Sequence, residues 1–243
     1  MIALGVACCA SVGLAAPPGP YVALRIDYER HEPGPTDRDA PMTVGEQRGS
    51  GVVVGPGQSG TWLVLTNAHV VEVDPAVGQA VPQIFAGGKW RRGQVVAEDS
   101  AADLALVRVA LDEPLRSAGI ATGPPDNRAE VTTHGYAGGT KYCRRTTELR
   151  HAMPLDDGAL AWASDRYFVQ TTFHPGESGG AVTIGGKLVG LIHGNDSAAG
   201  WGLVVDQKAI AAFLKPWLPT LDADPNANTT ADTSTTADPK PAG

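Results

Sequence analysis

The chain has 243 residues, 42% hydrophobic and 19% charged, enough apolar material for one large unit or two small ones with a real core. A formal net charge of −7, a pI near 5.3 and the lack of any basic run argue against nucleic acid or an acidic membrane surface as a partner. Gly 30 and Pro 19 suit many short strands and turns better than helices.

Residues Ile2–Leu14 are apolar or small, and small residues at 13–16 offer a cleavage site before Pro17-Pro18. This predicts a secretory signal over residues 1–16 and a secreted or periplasmic protein, although no Lys or Arg precedes the run. The run is too short to span a bilayer, so no stable membrane insertion is expected. Cys8, after Gly5-Val6-Ala7, offers a lipid-attachment alternative, but the apolar stretch before it is very short. With Cys8 and Cys9 removed, Cys143 stands alone and no intrachain disulfide can form.

Tyr21–Tyr28 alternates apolar and polar residues and reads as a half-buried strand, and Glu29–Gln47 reads as a Pro- and charge-rich surface loop. A strand over Gly49–Val54 ends in the turn Gly55-Pro56-Gly57, and Thr61–Leu65 runs into the small-residue turn Thr66–Val71. Val81–Phe85, Arg92–Ala97 and Leu104–Val109 are three more strands. Leu111–Ala129 has no period and reads as a linker. Strands follow at Val131–Gly135, Arg144–Leu149, Arg166–Thr172, Ala181–Ile184, Lys187–His193 and Gly202–Val205. Asp206 is placed to cap a short helix through Leu214, whose Ala209, Ile210 and Phe213 pack back on the strands. After Pro219 almost nothing is left to bury, which predicts a disordered tail over 219–243. Short strands at this spacing indicate an all-β barrel or sandwich.

The stretch His174-Pro175-Gly176-Glu177-Ser178-Gly179-Gly180 sets a serine among glycines between two strands. Glycines there permit unusual φ values and a close approach to bare N–H groups, which a nucleophilic serine and its oxyanion both need. A base and an orienting acid are then required. His69 is delivered by a buried-looking strand, and Asp103 opens the apolar strand Asp103-Leu104-Ala105-Leu106-Val107. Each alone reads as an ordinary strand-end residue; the chain order His, Asp, Ser makes the set informative. Asp99 is the rival acid, but it does not head the apolar strand.

The segments T-N-A-H-V-V, D-L-A-L-V and P-G-E-S-G-G-A-V resemble the three signatures of the trypsin-like serine peptidases, and most of all the disulfide-poor bacterial branch with the HtrA/Deg proteases. G-S-G-V-V-V, H-G-Y-A-G-G and V-Q-T-T match that branch too, and the resemblance covers roughly Tyr21 to Leu214. It implies two perpendicular six-stranded β-barrels, at about 20–112 and 130–205, with a linker at 113–129, a helix at 206–215 and the site between the barrels. By the same resemblance Ser178 is the nucleophile, His69 the base and then the acid, and Asp103 the group that fixes its tautomer. The oxyanion hole is then the backbone N–H groups of Gly176 and Ser178. Such an enzyme hydrolyses peptide or protein substrates through an acyl-enzyme, without cofactor or metal.

Glu177 departs from the family's usual Asn or Asp, and no activation segment is visible, so activation by a new N-terminus is not expected. No PDZ-like domain is expected after the helix. The resemblance puts Thr172, Phe173, Ile192, His193 and Asn195 at the substrate pocket. With no carboxylate at its base, the pocket suits small or medium apolar side chains before the scissile bond. His193 also matches a Ser or Thr that hydrogen-bonds the triad acid. Two other readings compete: a barrel protein that binds without turnover, and the nucleophile elbow of α/β-hydrolases, which needs a helix after the serine where this chain has a hairpin.

Overall fold

The structure, a computed structural model, describes residues 19–30, 42–57, 60–74, 76–111, 115–154, 160–162, 166–196 and 199–221. The expected signal at 1–16 and the tail from 222 onward lie outside them. Strands β1 (Tyr21–Arg30), β2 (Met42–Pro56), β3 (Thr61–Thr66), β4 (Gln79–Ala86), β5 (Lys89–Asp99) and β6 (Leu104–Ala110) form a closed antiparallel barrel in the order β1-β2-β3-β6-β5-β4. A second barrel uses β7 (Glu130–Ala137), β8 (Lys141–Arg150), β11 (Arg166–Val169), β12 (Ala181–Ile184), β13 (Lys187–Asp196) and β14 (Trp201–Asp206), in the order β11-β14-β13-β12-β7-β8. Between β8 and β11 a hairpin of β9 (Ala152–Pro154) and β10 (Leu160–Trp162) stands outside the barrel. The all-β class and the two six-stranded barrels agree with the expectation.

The strand pattern explains how the barrels meet. On β1, Val22, Leu24 and Ile26 point into the first barrel with Val53, Val64 and Val107. The alternate residues Tyr21 and Ala23 are buried as well, in a cluster that includes Tyr136, Leu188 and Leu191 of the second barrel. The strand is therefore covered on both faces, because its outer face is the seam between the barrels. Asp206 caps α2 (Gln207–Leu214) by accepting from Ala209 N at 2.7 Å, and the helix buries Ile210 and Leu214 in that same cluster.

Four local readings are corrected. Residues 42–47 are not loop: β2 starts at Met42 and pairs with β1 as far as Arg30, so ladder hydrogen bonds hold a segment that has little to bury. Thr66–Val71 contains a one-turn helix, α1 (Ala68–Val71). The strand before the serine loop stops at Val169, where Thr171 N turns back to Val169 O. After a 3-10 turn over Lys215–Trp217, α3 (Leu218–Leu221) continues past Pro219, because Leu221 packs over Gly55 of β2. The segment read as a linker is bonded to both barrels: Ala118 N donates to Val53 O, and Ala121 N to Leu188 O.

Candidate active site

Each of the three predicted residues is fixed by its own piece of backbone. His69 sits in α1, three residues beyond the end of β3. Asp103 immediately precedes β6 and holds a left-handed φ of 56°, a conformation Asp tolerates better than most residues. The buried Asn67 amide donates to Asp103 O, and His69 N–H donates to Asp103 Oδ1, so chain and carboxylate are both aimed. His69 Nδ1 lies 2.9 Å and 3.0 Å from the two carboxylate oxygens. With the carboxylate ionised, Nδ1 carries the proton and Nε2 presents a lone pair.

A second imidazole shares this acid. β13 bulges between Ile192 and Gly194, and His193 is the extra residue. Swung out of the ladder, its Nδ1 lies 2.5 Å from Asp103 Oδ2. Burial alone would raise the Asp103 carboxyl, but the hydrogen bonds from His193 and His69 outweigh it and hold the group well below the ordinary carboxylate range. His69, Asp103 and His193 bring their ligand atoms within 4.8 Å of one another, the kind of donors zinc accepts. Their contacts to Oδ2, 2.9 Å and 2.5 Å, are hydrogen-bond spacings. Two ligands on one tetrahedral ion would sit about 3.3 Å apart.

Ser178 reaches the same place from the second barrel. It lies with His69, Gly176, Pro175, Gln47 and Arg48 around one cleft of ≈ 440 Å³. Its hydroxyl donates to His193 O at 3.1 Å, so aiming it at His69 instead gives up that hydrogen bond, a loss of about 1 kcal/mol.

The loop around Ser178 is defined by its hydrogen bonds. Glu177 N donates to His174 O, Gly179 N to Ile192 O and Gly180 N to Glu177 O. Among the described residues the N–H groups of Gly176 and Ser178 have no such partner. Pro175 O is held by Gly138 N at 2.7 Å, and in a trans peptide the Gly176 N–H must then point the opposite way. Gly176 has φ +91°, and a Cβ there would fall 2.6 Å from Gly139 N, so the turn requires glycine.

Two supports of this loop have no local signal in the sequence. The fully buried Glu177 carboxylate accepts from Arg145 Nη1 at 2.6 Å and Nη2 at 3.2 Å, and from His174 N at 2.6 Å. Arg145 lies 32 residues earlier, on β8. Ser50 of β2 donates from N to Ser178 O and from Oγ to Gly176 O, both at 2.7 Å, and accepts from Tyr136 N at 2.8 Å. Of the residues expected at the pocket, Ile192 and Phe173 are buried and Thr172 is exposed. Asn195 clasps the Phe173 backbone, accepting from its N and donating to its O. The Phe173 ring lies where a Cβ on Gly202 would fall, 2.4 Å away. None of these four, nor His193, the fifth residue expected there, is among those that line the cleft at Ser178.

A model of the trypsin-like peptidase domain matches residues 49–191. Among solved structures, the Rv3671c protease from M. tuberculosis in its active form is 24% identical with TM-score 0.58, over 84% of this chain and 82% of that chain. A serine-to-alanine mutant of Rv3671c in an inactive form is 23% identical with TM-score 0.58, over 83% of this chain and 89% of that one. The inactive form of the Rv3671c protease is 24% identical with TM-score 0.56, over the same shares. At these identities the likeness is one of fold. A search of the curated proteins found no match.

Proposed function

The chain belongs to the trypsin-like peptidase family, whose model matches more than half of it, and from a serine-type peptidase we propose an endopeptidase working through Ser178, His69 and Asp103. Ser178 Oγ attacks the scissile carbonyl while His69 Nε2 takes its proton. The N–H groups of Gly176 and Ser178 receive the oxyanion, and donors so placed contribute about 3–4 kcal/mol each to the transition state. His69 then protonates the leaving amine, and water resolves the acyl-enzyme by the same route. Asp103 stays ionised throughout and holds the imidazole in the tautomer this needs.

The observation that carries this reading is that Ser178 and His69, from different barrels, line one cleft. Labelling with a serine-directed phosphonate tests it: Ser178 is expected to be modified in the native chain and left unmodified in His69→Ala. Ser178→Ala is expected to lower kcat at least about ten-thousandfold with an unchanged circular dichroism spectrum. Turnover that survives the substitution would remove the assignment. Binding without turnover is the alternative, and a native chain that never labels would favour it.

Small or medium apolar residues before the scissile bond are the proposed preference, supported by the way Phe173 fills space against Gly202. Rapid cleavage after Lys or Arg in a peptide library would refute it. Export rests on the apolar run at 2–14; it predicts a mature chain starting near residue 17, read by N-terminal sequencing.

A further inference from the structure

In hydrolysis the leaving amine must face the group that protonates it, so the part of a substrate after the scissile bond emerges on the His69 side of Ser178. Beside His69 the cleft is lined by Val70, Gln47 and Arg48. Gln47 is tied down: its Nε2 donates to His69 O and its Oε1 accepts from Tyr28 OH. Among the described residues that line the cleft, Arg48 is the one arginine or lysine.

Its guanidinium is aimed as well. Arg48 Nη1 donates to Gly138 O at 3.2 Å and Nε to Glu46 Oε1 at 2.5 Å. The side-chain stem lies on Gly139, where a Cβ would fall 2.6 Å from Arg48 Cβ. Gly138 also holds Pro175 O, so Arg48 is braced against the turn that supports the serine loop. A guanidinium has five N–H donors, and two are engaged by partners among the described residues. The arginine side chain is 44% exposed, and Glu46, at 38%, is an exposed partner that a substrate carboxylate can displace or share. A cleft of ≈ 440 Å³ is about 9 Å across, room for two or three residues of extended chain at about 3.3 Å each.

We infer that Arg48 selects substrates carrying an acidic side chain one or two residues after the scissile bond. The inference rests on the peptidase reading and names the substrate class of that site: peptides with Asp or Glu on the leaving-group side. A planar fork braced at two points suits a carboxylate better than a mobile ammonium would.

Quenched fluorescent peptides that place Ala before the scissile bond, and differ only in Glu, Gln or Lys at the first or second position after it, test this. For the full chain kcat/KM is expected to fall in the order Glu, Gln, Lys, with Glu over Lys by about tenfold at low salt and about threefold at high salt, as screening of an exposed pair requires. R48Q should bring the Glu-to-Gln ratio to about one, and R48E should invert the Glu-to-Lys order. An unchanged ratio in R48Q, or no preference in the native chain, overturns the inference. Binding of the same peptides to the Ser178→Ala chain, read by fluorescence anisotropy, keeps the two proposals apart. Arg48-dependent preference for the Glu peptide there upholds acidic recognition even if the native chain cleaves nothing. Equal binding of the Glu and Lys peptides overturns it.

Discussion

Gly179 shows how little freedom one position beside Ser178 has. Its φ is +83°, and a Cβ would fall 2.1 Å from Ser50 O and 2.3 Å from Thr66 Oγ1. Gly179→Ala therefore meets backbone from the other barrel and a disfavoured conformation together. Its expected cost is about 3 kcal/mol of stability, read by urea unfolding, with loss of most turnover. His134 makes a prediction of another kind. It stacks on Tyr21 with ring centroids 3.9 Å apart, receives Tyr142 OH on Nδ1, and donates from Nε2 to Thr183 Oγ1. Burial, and then the charge of Arg144, push it down from an ordinary 6.5 to about 4. Between those pH values the unfolded chain binds the proton that the folded chain refuses. Stability should thus fall as pH drops from 6.5 to 4, by about 3 kcal/mol in all, and this contribution should be flat below that. Urea midpoints across this window should flatten in His134→Gln. The sequence made Gly176 and Gly179 conspicuous because they flank a serine. It gave no warning of His134, which needs a ring from β1 and a hydroxyl from β8 and so becomes legible only once strands are paired.

At the scale of elements, the Arg145–Glu177 pair governs the serine loop. Glu177 is fully buried and Arg145 is its charge partner. Arg145→Met strands a buried carboxylate, and such a break costs about 3–5 kcal/mol. The double change Arg145→Met, Glu177→Met removes both charges and is expected to recover most of that stability. It does not restore the acceptor that holds His174 N. A double variant with near-native urea stability and a kcat still reduced would show the pair acting on the loop as well as on the fold. Capping of α2 gives a smaller test: Asp206→Ala is expected to cost about 1 kcal/mol. The cap was readable because it is local. Glu177 was readable only as a departure from a pattern, since its partner lies on a strand with no motif of its own. The His193 bulge was likewise hidden: alternation predicts strand there, while the extra residue appears only when β13 and β14 are set in register.

The molecule as a whole was legible as an all-β chain of two halves, because turn signals recur at short intervals and the apolar runs between them are strand-length. Closure of each half depends on β1 meeting β4 and β8 meeting β11, pairings that no local pattern encodes. The seam was also unannounced: Tyr21 and Ala23 look like the wet face of a strand until the other barrel covers them. In the proposed mechanism base and acid come from one half and nucleophile from the other, so heat inactivation should coincide with loss of tertiary near-ultraviolet circular dichroism. Inactivation that clearly precedes it would mean the site fails before the barrels part.

Ser50 gives that division a temporal meaning. A ribosome releases this residue, with His69 and Asp103, well before it reaches the segment that Ser50 holds in shape. Until the second half has been made and has closed over the first, the Ser178 loop lacks the hydrogen bonds that Ser50 gives it, and under the proposed mechanism the unfinished polypeptide has no organised nucleophile with which to cut its neighbours.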